Sequence, residues 1–293
     1  MKSAPVLVFS LLLLSSCGQD QLPGQMKDVK SDGVPIHYRL AGEGDTTLLF
    51  IHGAYIDQTY WDKQVQHFSK RYNVTALDLA AHGRSGKNRS DWSQQAFGKD
   101  VLALIETLDL RNVILIGHSL GGDVALEAAV AAPDRVIGII GVETFKNAAT
   151  LLPPDAQQQA DAMMQKMRAD FPNTIEQYVR MMLFTPQTDS AIVQRVANDF
   201  RSFNPAVGVK IMERIMDYTR REAELLQKLQ LKLYLVNVPY QPTNEDALKH
   251  HTGAGYVLRQ MTGTCHYPML ESPGELNAQL EKVLHEMSVE EAR

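Results

Sequence analysis

The sequence predicts an α/β fold, a mostly parallel sheet flanked by helices with a helical cap inserted into it, and three observations carry that prediction. Short β-branched or leucine-rich runs alternate with segments of helical periodicity, the pattern of strands joined by crossover helices. The run Val113-Ile114-Leu115-Ile116 enters Gly117-His118-Ser119-Leu120-Gly121-Gly122, and the Ala-rich segment Val124 to Ala132 follows, so a G-x-S-x-G turn joins a strand to a helix. From Phe145 to Leu229 the strand pattern stops. Helical periodicity continues there, broken at Pro153-Pro154, Pro172, Pro186 and Pro205.

A chain of 293 residues, 44% hydrophobic and 22% charged, suits one large domain with an insertion. The net charge of −5 and the lack of a Lys/Arg stripe with interleaved aromatics argue against a nucleic-acid partner. At the N-terminus Lys2 precedes an apolar run from Ala4 to Leu14, too short to span a bilayer, which reads as the core of a signal peptide over residues 1–17. Its end, Leu14-Ser15-Ser16-Cys17, resembles the lipobox of bacterial lipoproteins. That resemblance implies lipidation of Cys17, a membrane anchor, and a place in the bacterial cell envelope facing the periplasm or exterior. Residues 18–25 are then a tether, 26–144 and 230–293 the sheet domain, and 145–229 the cap. The second cysteine, Cys265, is left without a partner, so no disulfide is expected and a packing role is favoured.

Along the mature chain, Val29 to Ser31 and Val34 to Leu40 form a hairpin about Asp32-Gly33. Thr46 to Ile51 is a buried strand ending in His52-Gly53-Ala54-Tyr55. A helix through Phe68 leads to the strand Val74 to Leu79, which opens into Asp78 to Ser85. The helix Gln95 to Leu108 places Val101, Leu104, Ile105 and Leu108 on one face. After the G-x-S-x-G turn and its helix, Arg135 to Val142 is a further buried strand ending at Glu143-Thr144. The cap that follows is rich in methionine (Met163, Met164, Met167, Met181, Met182), joined by Phe171, Tyr178 and Phe184. Two readings stand: these side chains fill the seam between cap and sheet, or some of them line an apolar acyl pocket. For the pocket the candidates are Met163, Met167, Met182 and Phe184, with Tyr55 from the sheet domain. Beyond the cap come the strand Leu231 to Val236, a helix starting near Thr243-Asn244-Glu245-Asp246, the strand Tyr256 to Met261, and an amphipathic helix from Glu275 to Met287.

Four segments in order, His52-Gly53, Asp78 to Ser85, Gly117 to Gly122 and His266 to Pro273, resemble the α/β-hydrolase superfamily, and the likeness covers nearly all of residues 30 to 288. It implies an eight-stranded sheet, an active site between sheet edge and cap, and a triad in the chain order serine, acid, histidine. Ser119 is then the nucleophile. His266, in H-x-P-x-L-E-x-P after the final strand, is its base. His52 and His82 are expected to brace loops, and the remaining histidines show no metal-ligand spacing. Many relatives carry the acid before the proline that here is Pro242, but that position is Gln241. A segment like Val136 to Glu143 carries the acid in some haloalkane dehalogenases, and a glutamate ending an apolar strand needs a cation such as imidazolium, which together favour Glu143. Glu245 and Asp246 are the alternative, explained equally well as a helix N-terminus. The family's oxyanion donors correspond to the backbone N–H groups of Ala54 and Leu120, with Tyr55 adding a hydroxyl or walling the pocket.

The resemblance implies acyl transfer to Ser119 from a small-molecule carboxylic ester, with no metal or organic cofactor. Carbon–carbon bond hydrolysis, lactone opening and haloperoxidase-type activity are compatible with the same triad. A ligand receptor or partner-binding module that keeps the triad is the alternative of a different class.

Overall fold

A computed structural model describes residues 22–291. The signal peptide, Cys17 and residues 18–21 of the expected tether lie outside the described residues. Hairpin strands β1 (Gln25–Ser31) and β2 (Val34–Ala41) turn at Asp32 and Gly33, whose φ angles of 47° and 82° are the left-handed values that a two-residue Asp-Gly turn requires. Gln25 pairs with Leu40, so the sheet takes in the last residue assigned to the tether.

The chain continues through β3 (Thr47–Ile51), a 3₁₀ turn at Gln58–Trp61, α1 (Asp62–Phe68), β4 (Asn73–Leu77), α2 (Gln94–Thr107), β5 (Val113–His118), α3 (Leu120–Ala131) and β6 (Val136–Val142). Five helices then intervene: α4 (Pro154–Ala169), α5 (Phe171–Met182), α6 (Ser190–Ser202), α7 (Pro205–Met216) and α8 (Thr219–Lys228). The sheet resumes with β7 (Leu233–Asn237), α9 (Glu245–His251), β8 (Tyr256–Gln260), the short α10 (Pro268–Glu271) and α11 (Pro273–Glu291). Among the described residues no helix is long and apolar enough to cross a membrane.

The eight strands form one sheet in the order β1-β2-β4-β3-β5-β6-β7-β8. β2 runs antiparallel to β1 and β4, and every other neighbouring pair is parallel. The carboxyl ends of β3, β5, β6, β7 and β8 therefore meet along one edge, where open α/β sheets bind ligands.

Every residue of β3, β5 and β7 is buried, which is why these strands read as unbroken apolar runs. Each fully buried Leu, Ile or Val stabilises the fold by roughly 1.5–3 kcal/mol. In the inserted helices the apolar stripe is narrower: Phe171, Ile175 and Val179 on α5, and Val196, Ala197 and Phe200 on α6, are buried. Three of the prolines that interrupt the helical pattern open helices, Pro154 and Pro205 as first residues of α4 and α7 and Pro172 as second residue of α5, while Pro186 lies in the turn between α5 and α6.

One strand ends earlier than its apolar pattern suggests. β4 stops at Leu77, because the Asp78 carboxylate accepts the backbone N–H groups of Gln58 (2.9 Å) and Arg84 (2.9 Å) and so turns the chain into a loop. Similar loop bonding defines the next turn on the sheet edge, at Ser119.

Candidate active site

Between β5 and α3 the backbone of Ser119 takes φ 51° and ψ −121°. A non-glycine residue there costs about 1–3 kcal/mol, so its neighbours must hold it. They do so by hydrogen bonds: Ser119 N–H donates to Val142 O (3.1 Å), while Gly122 N–H (2.9 Å) and the Thr144 hydroxyl (3.0 Å) donate to Ser119 O. Close approach explains the flanking glycines. A Cβ on Gly117 would lie 2.2 Å from Gly121 O, and one on Gly121 would lie 2.4 Å from Ile51 O. The result is a half-buried Ser119 side chain at the N-terminus of α3.

β6 ends next to this turn, and Glu143 follows it with φ 52° and its N–H on Val236 O (3.1 Å). Its carboxylate is fully buried. Oε1 accepts the Val238 N–H, and Oε2 faces both Lys146 Nζ (2.9 Å) and His266 Nδ1 (3.3 Å). A carboxylate opposite Nδ1 sets the tautomer: the proton sits on Nδ1, leaving Nε2 as the basic nitrogen. The His266 side chain is 13% exposed, so the ring is largely shielded yet reachable.

The loop carrying His266 is fixed from three sides. His266 N–H donates to Leu183 O at the end of α5 (3.2 Å), and the Glu271 carboxylate accepts the N–H groups of Cys265 (2.9 Å) and Tyr267 (3.2 Å). The third tie is His118, the residue before the serine, whose Nε2–H donates to His266 O (2.7 Å). Burial holds the His118 imidazole well below the ordinary histidine range, so it acts as a neutral strut. Glu271 is visible in the H-x-P-x-L-E pattern, whereas His118 occupies the unspecified position of G-x-S-x-G and carries no sequence signal.

Ala54, Leu120, Ser119 and His266 border one cavity of about 420 Å³ between the sheet edge and the inserted helices. Leu120 opens α3, so its N–H has no intrahelical acceptor. The Ala54 loop is held by His52, which donates from Nδ1 to Gly53 O (2.7 Å) and accepts the Leu79 N–H at Nε2 (2.9 Å). His82, buried beside it, bonds Ala80 O (3.0 Å). Tyr55 walls the cavity, but its hydroxyl is committed to Gly208 O on α7 (2.9 Å), and its ring meets Phe171, Phe200 and Phe203 edge-on. It therefore has no hydroxyl proton left for a substrate oxygen.

The pocket expectation needs correction. Of the cap candidates Met182 lines the cavity, whereas Met163, Met167 and Phe184 do not. Met167 is wholly buried and Met163 packs against the core, while Phe184 stacks on Tyr267 at 5.4 Å between ring centroids. Their places at the lining are taken by Phe200, Met212 and Ile215, and by Asp123, Lys146 and Glu222, none of which the sequence singled out. The alternative acids sit elsewhere: Glu245 accepts the Tyr256 hydroxyl (2.8 Å) and Asp246 pairs with Lys249 on the surface of α9. Gln241, at the more usual acid position, lines the cavity and donates to Met182 O (2.9 Å). Cys265 is buried and meets the hydroxyls of Thr185 and Thr188. Among the described residues no cluster of three or more His, Cys, Asp or Glu could hold a metal ion.

A family model described as alpha/beta hydrolase fold matches residues 46–239. The chain belongs to this family. An uncharacterized protein of Mycobacterium tuberculosis is 39% identical over 103 residues, 35% of this chain and 30% of that one, so the chain matches less than a third of that relative's length. The karrikin insensitive 2 receptor CA of Petunia hybrida is 20% identical over 80% of this chain and 90% of the receptor. A thermophilic esterase from Thermogutta terrifontis superposes with a TM-score of 0.75 at 19% identity, over 90% of this chain and 99% of that one.

In this α/β hydrolase the cavity also holds a carboxyl pair. Asp123, on the first turn of α3, and Glu222 of α8 both line it, and each shifts the ionisation of the other. Burial, then the Glu222 charge, keeps Asp123 well above the usual carboxylate range, and burial pushes Glu222 up to about 7 against the pull of the Ala149 N–H. The folded protein thus retains a proton that the unfolded chain releases near the ordinary value of 4.5, and its stability falls as pH rises from there through about 7. Glu222→Gln keeps an acceptor for Ala149 and removes the Glu222 titration, leaving only that of Asp123. Its melting temperature is expected to vary less than the wild type's between about pH 5 and pH 8 and to be the higher at pH 8, whereas parallel melting curves would contradict the assignment.

Proposed function

We propose that this protein is a serine hydrolase that cleaves carboxylic esters of a small or medium, largely apolar substrate through an acyl-enzyme on Ser119. The observation that carries the reading is the fully buried Glu143 carboxylate 3.3 Å from Nδ1 of His266, with Ser119 on the same cavity wall. His266 Nε2 takes the Ser119 proton as the hydroxyl attacks the ester carbonyl, and Glu143 stabilises the imidazolium that forms. The N–H groups of Ala54 and Leu120 receive the oxyanion. The imidazolium then protonates the departing alcohol, and water repeats the sequence on the acyl-enzyme.

A cavity of about 420 Å³ bounded by Phe200, Met212 and Ile215 favours short to medium acyl groups. The protein is expected to turn over p-nitrophenyl acetate to hexanoate with a burst of nitrophenolate matching the enzyme concentration. Similarity to the Petunia receptor over 80% of this chain favours a second reading, a ligand receptor of this fold. No burst, together with saturable binding of a small ligand, would decide for it.

A further inference from the structure

Lys146 lies three residues beyond Glu143 on the loop after β6, and its Nζ is 2.9 Å from Oε2, the same oxygen that faces His266 Nδ1 at 3.3 Å. Its other two donors go to Val238 O (2.8 Å) and Gln241 O (2.9 Å), so its three N–H bonds are all used. The ammonium also sits 4.4 Å from the centre of the Tyr240 ring, and the side chain is 12% exposed. Two backbone carbonyl oxygens and the Glu143 carboxylate thus fix one cation beside the acid. We propose that Lys146 is a positioning residue that holds Oε2 and, by sharing it, keeps the imidazole of His266 available as a base at lower pH than Glu143 alone would allow; this rests on the serine-hydrolase reading above.

The argument is one of charge and competition. A lone buried carboxylate would answer its charge by pulling a proton onto His266, and the base would be blocked until the pH rose. With an ammonium nearer to Oε2 than Nδ1 is, the resting carboxylate is already paired. A charge-assisted N–H···O bond to an unshared carboxylate would be expected at about 2.7–2.9 Å, and 3.3 Å is longer than that. Burial pulls the Lys146 ammonium below the ordinary lysine range, and the Glu143 charge opposes that pull.

The other groups around these atoms do not take over the role. From β5, His118 is held neutral by burial; its ring lies 4.7 Å from that of His266. Burial pushes the hydroxyls of Tyr240 and Tyr267 above the ordinary tyrosine range, so both are neutral. On the His266 loop, Glu271 is bound by the Cys265 and Tyr267 N–H groups, and the Cys265 thiol faces Thr185 and Thr188.

The test is the pH profile of kcat/KM for p-nitrophenyl butyrate, measured on the full chain, for wild type, Lys146→Gln, Lys146→Arg and Ser119→Ala. Lys146→Gln is expected to move the acid limb up by about one pH unit, roughly a ten-fold loss of rate on that limb, with the plateau within a few-fold of wild type. Lys146→Arg, which keeps the charge, is expected to leave the limb within a few tenths of a unit. A lowered plateau with an unmoved limb in Lys146→Gln would mean that the lysine merely ties loops, and would overturn the proposal. Lys146→Met gives the same reading if Lys146→Gln does not fold, and loss of fold in both assigns the lysine to structure alone and overturns it too. Turnover that survives Ser119→Ala would sink the serine-hydrolase reading itself, which an unmoved limb in a Ser119-dependent enzyme would not.

Discussion

Ser119→Ala is expected to lower kcat/KM for p-nitrophenyl butyrate by roughly 10⁴- to 10⁶-fold while leaving the melting temperature close to that of wild type. The size of the loss follows from the serine's role as one part of a unit: without the hydroxyl, the base and the oxyanion donors have no nucleophile to act on. The small effect on stability follows from the backbone. The strained φ of 51° is held by Val142 O, Gly122 N–H and the Thr144 hydroxyl, all of which bond main-chain atoms of residue 119 and survive the substitution. Alanine also tolerates positive φ no better than serine, so the strain is unchanged. Steady-state rates and thermal melts on the same preparations separate the two effects.

Glu143→Gln is expected to cost about 10³- to 10⁴-fold in kcat with the fold retained. The amide oxygen can still accept the Val238 N–H, but the amide nitrogen would then face Lys146 Nζ and His266 Nδ1, which are both donors. The imidazole is driven to the other tautomer, with its proton on Nε2, and can no longer take one from Ser119. Glu245→Gln and Asp246→Asn, on the exposed first turn of α9, are expected to change kcat by no more than about two-fold. A large loss at Glu245 with none at Glu143 would reassign the acid.

The sheet was readable because its central strands are buried on both faces, so Leu48 to Ile51, Val113 to Ile116 and Leu233 to Val236 appear as unbroken apolar runs. The turn at Ser119 was readable because backbone crowding at Gly117 and Gly121 excludes any Cβ, a constraint that leaves its mark on the sequence. The pairing of Glu143 with the His266 loop could be anticipated for a related reason: a carboxylate at the end of an apolar strand needs a buried partner. The cavity lining was not readable. Helical periodicity tells which side of α4 or α7 is buried, but not whether that side covers the cavity, as Met212 and Ile215 do, or the seam, as Met167 does. Nor does a loop lysine carry any period. Lys146 gains its meaning from Val238 and Gln241, more than ninety residues away, which only the parallel pairing of β6 with β7 brings to its side. Strand ends were misjudged where a side chain takes over the hydrogen bonding, as Asp78 does after β4.

The central claim is that Ser119 becomes covalently acylated with His266 as its base, and the direct measurement is intact-mass analysis and peptide mapping after exposure to a fluorophosphonate. One adduct per chain is expected, located on the peptide containing Ser119, absent from Ser119→Ala and formed far more slowly in His266→Ala. A folded wild-type protein that takes no label, or takes it at another residue, would contradict the account.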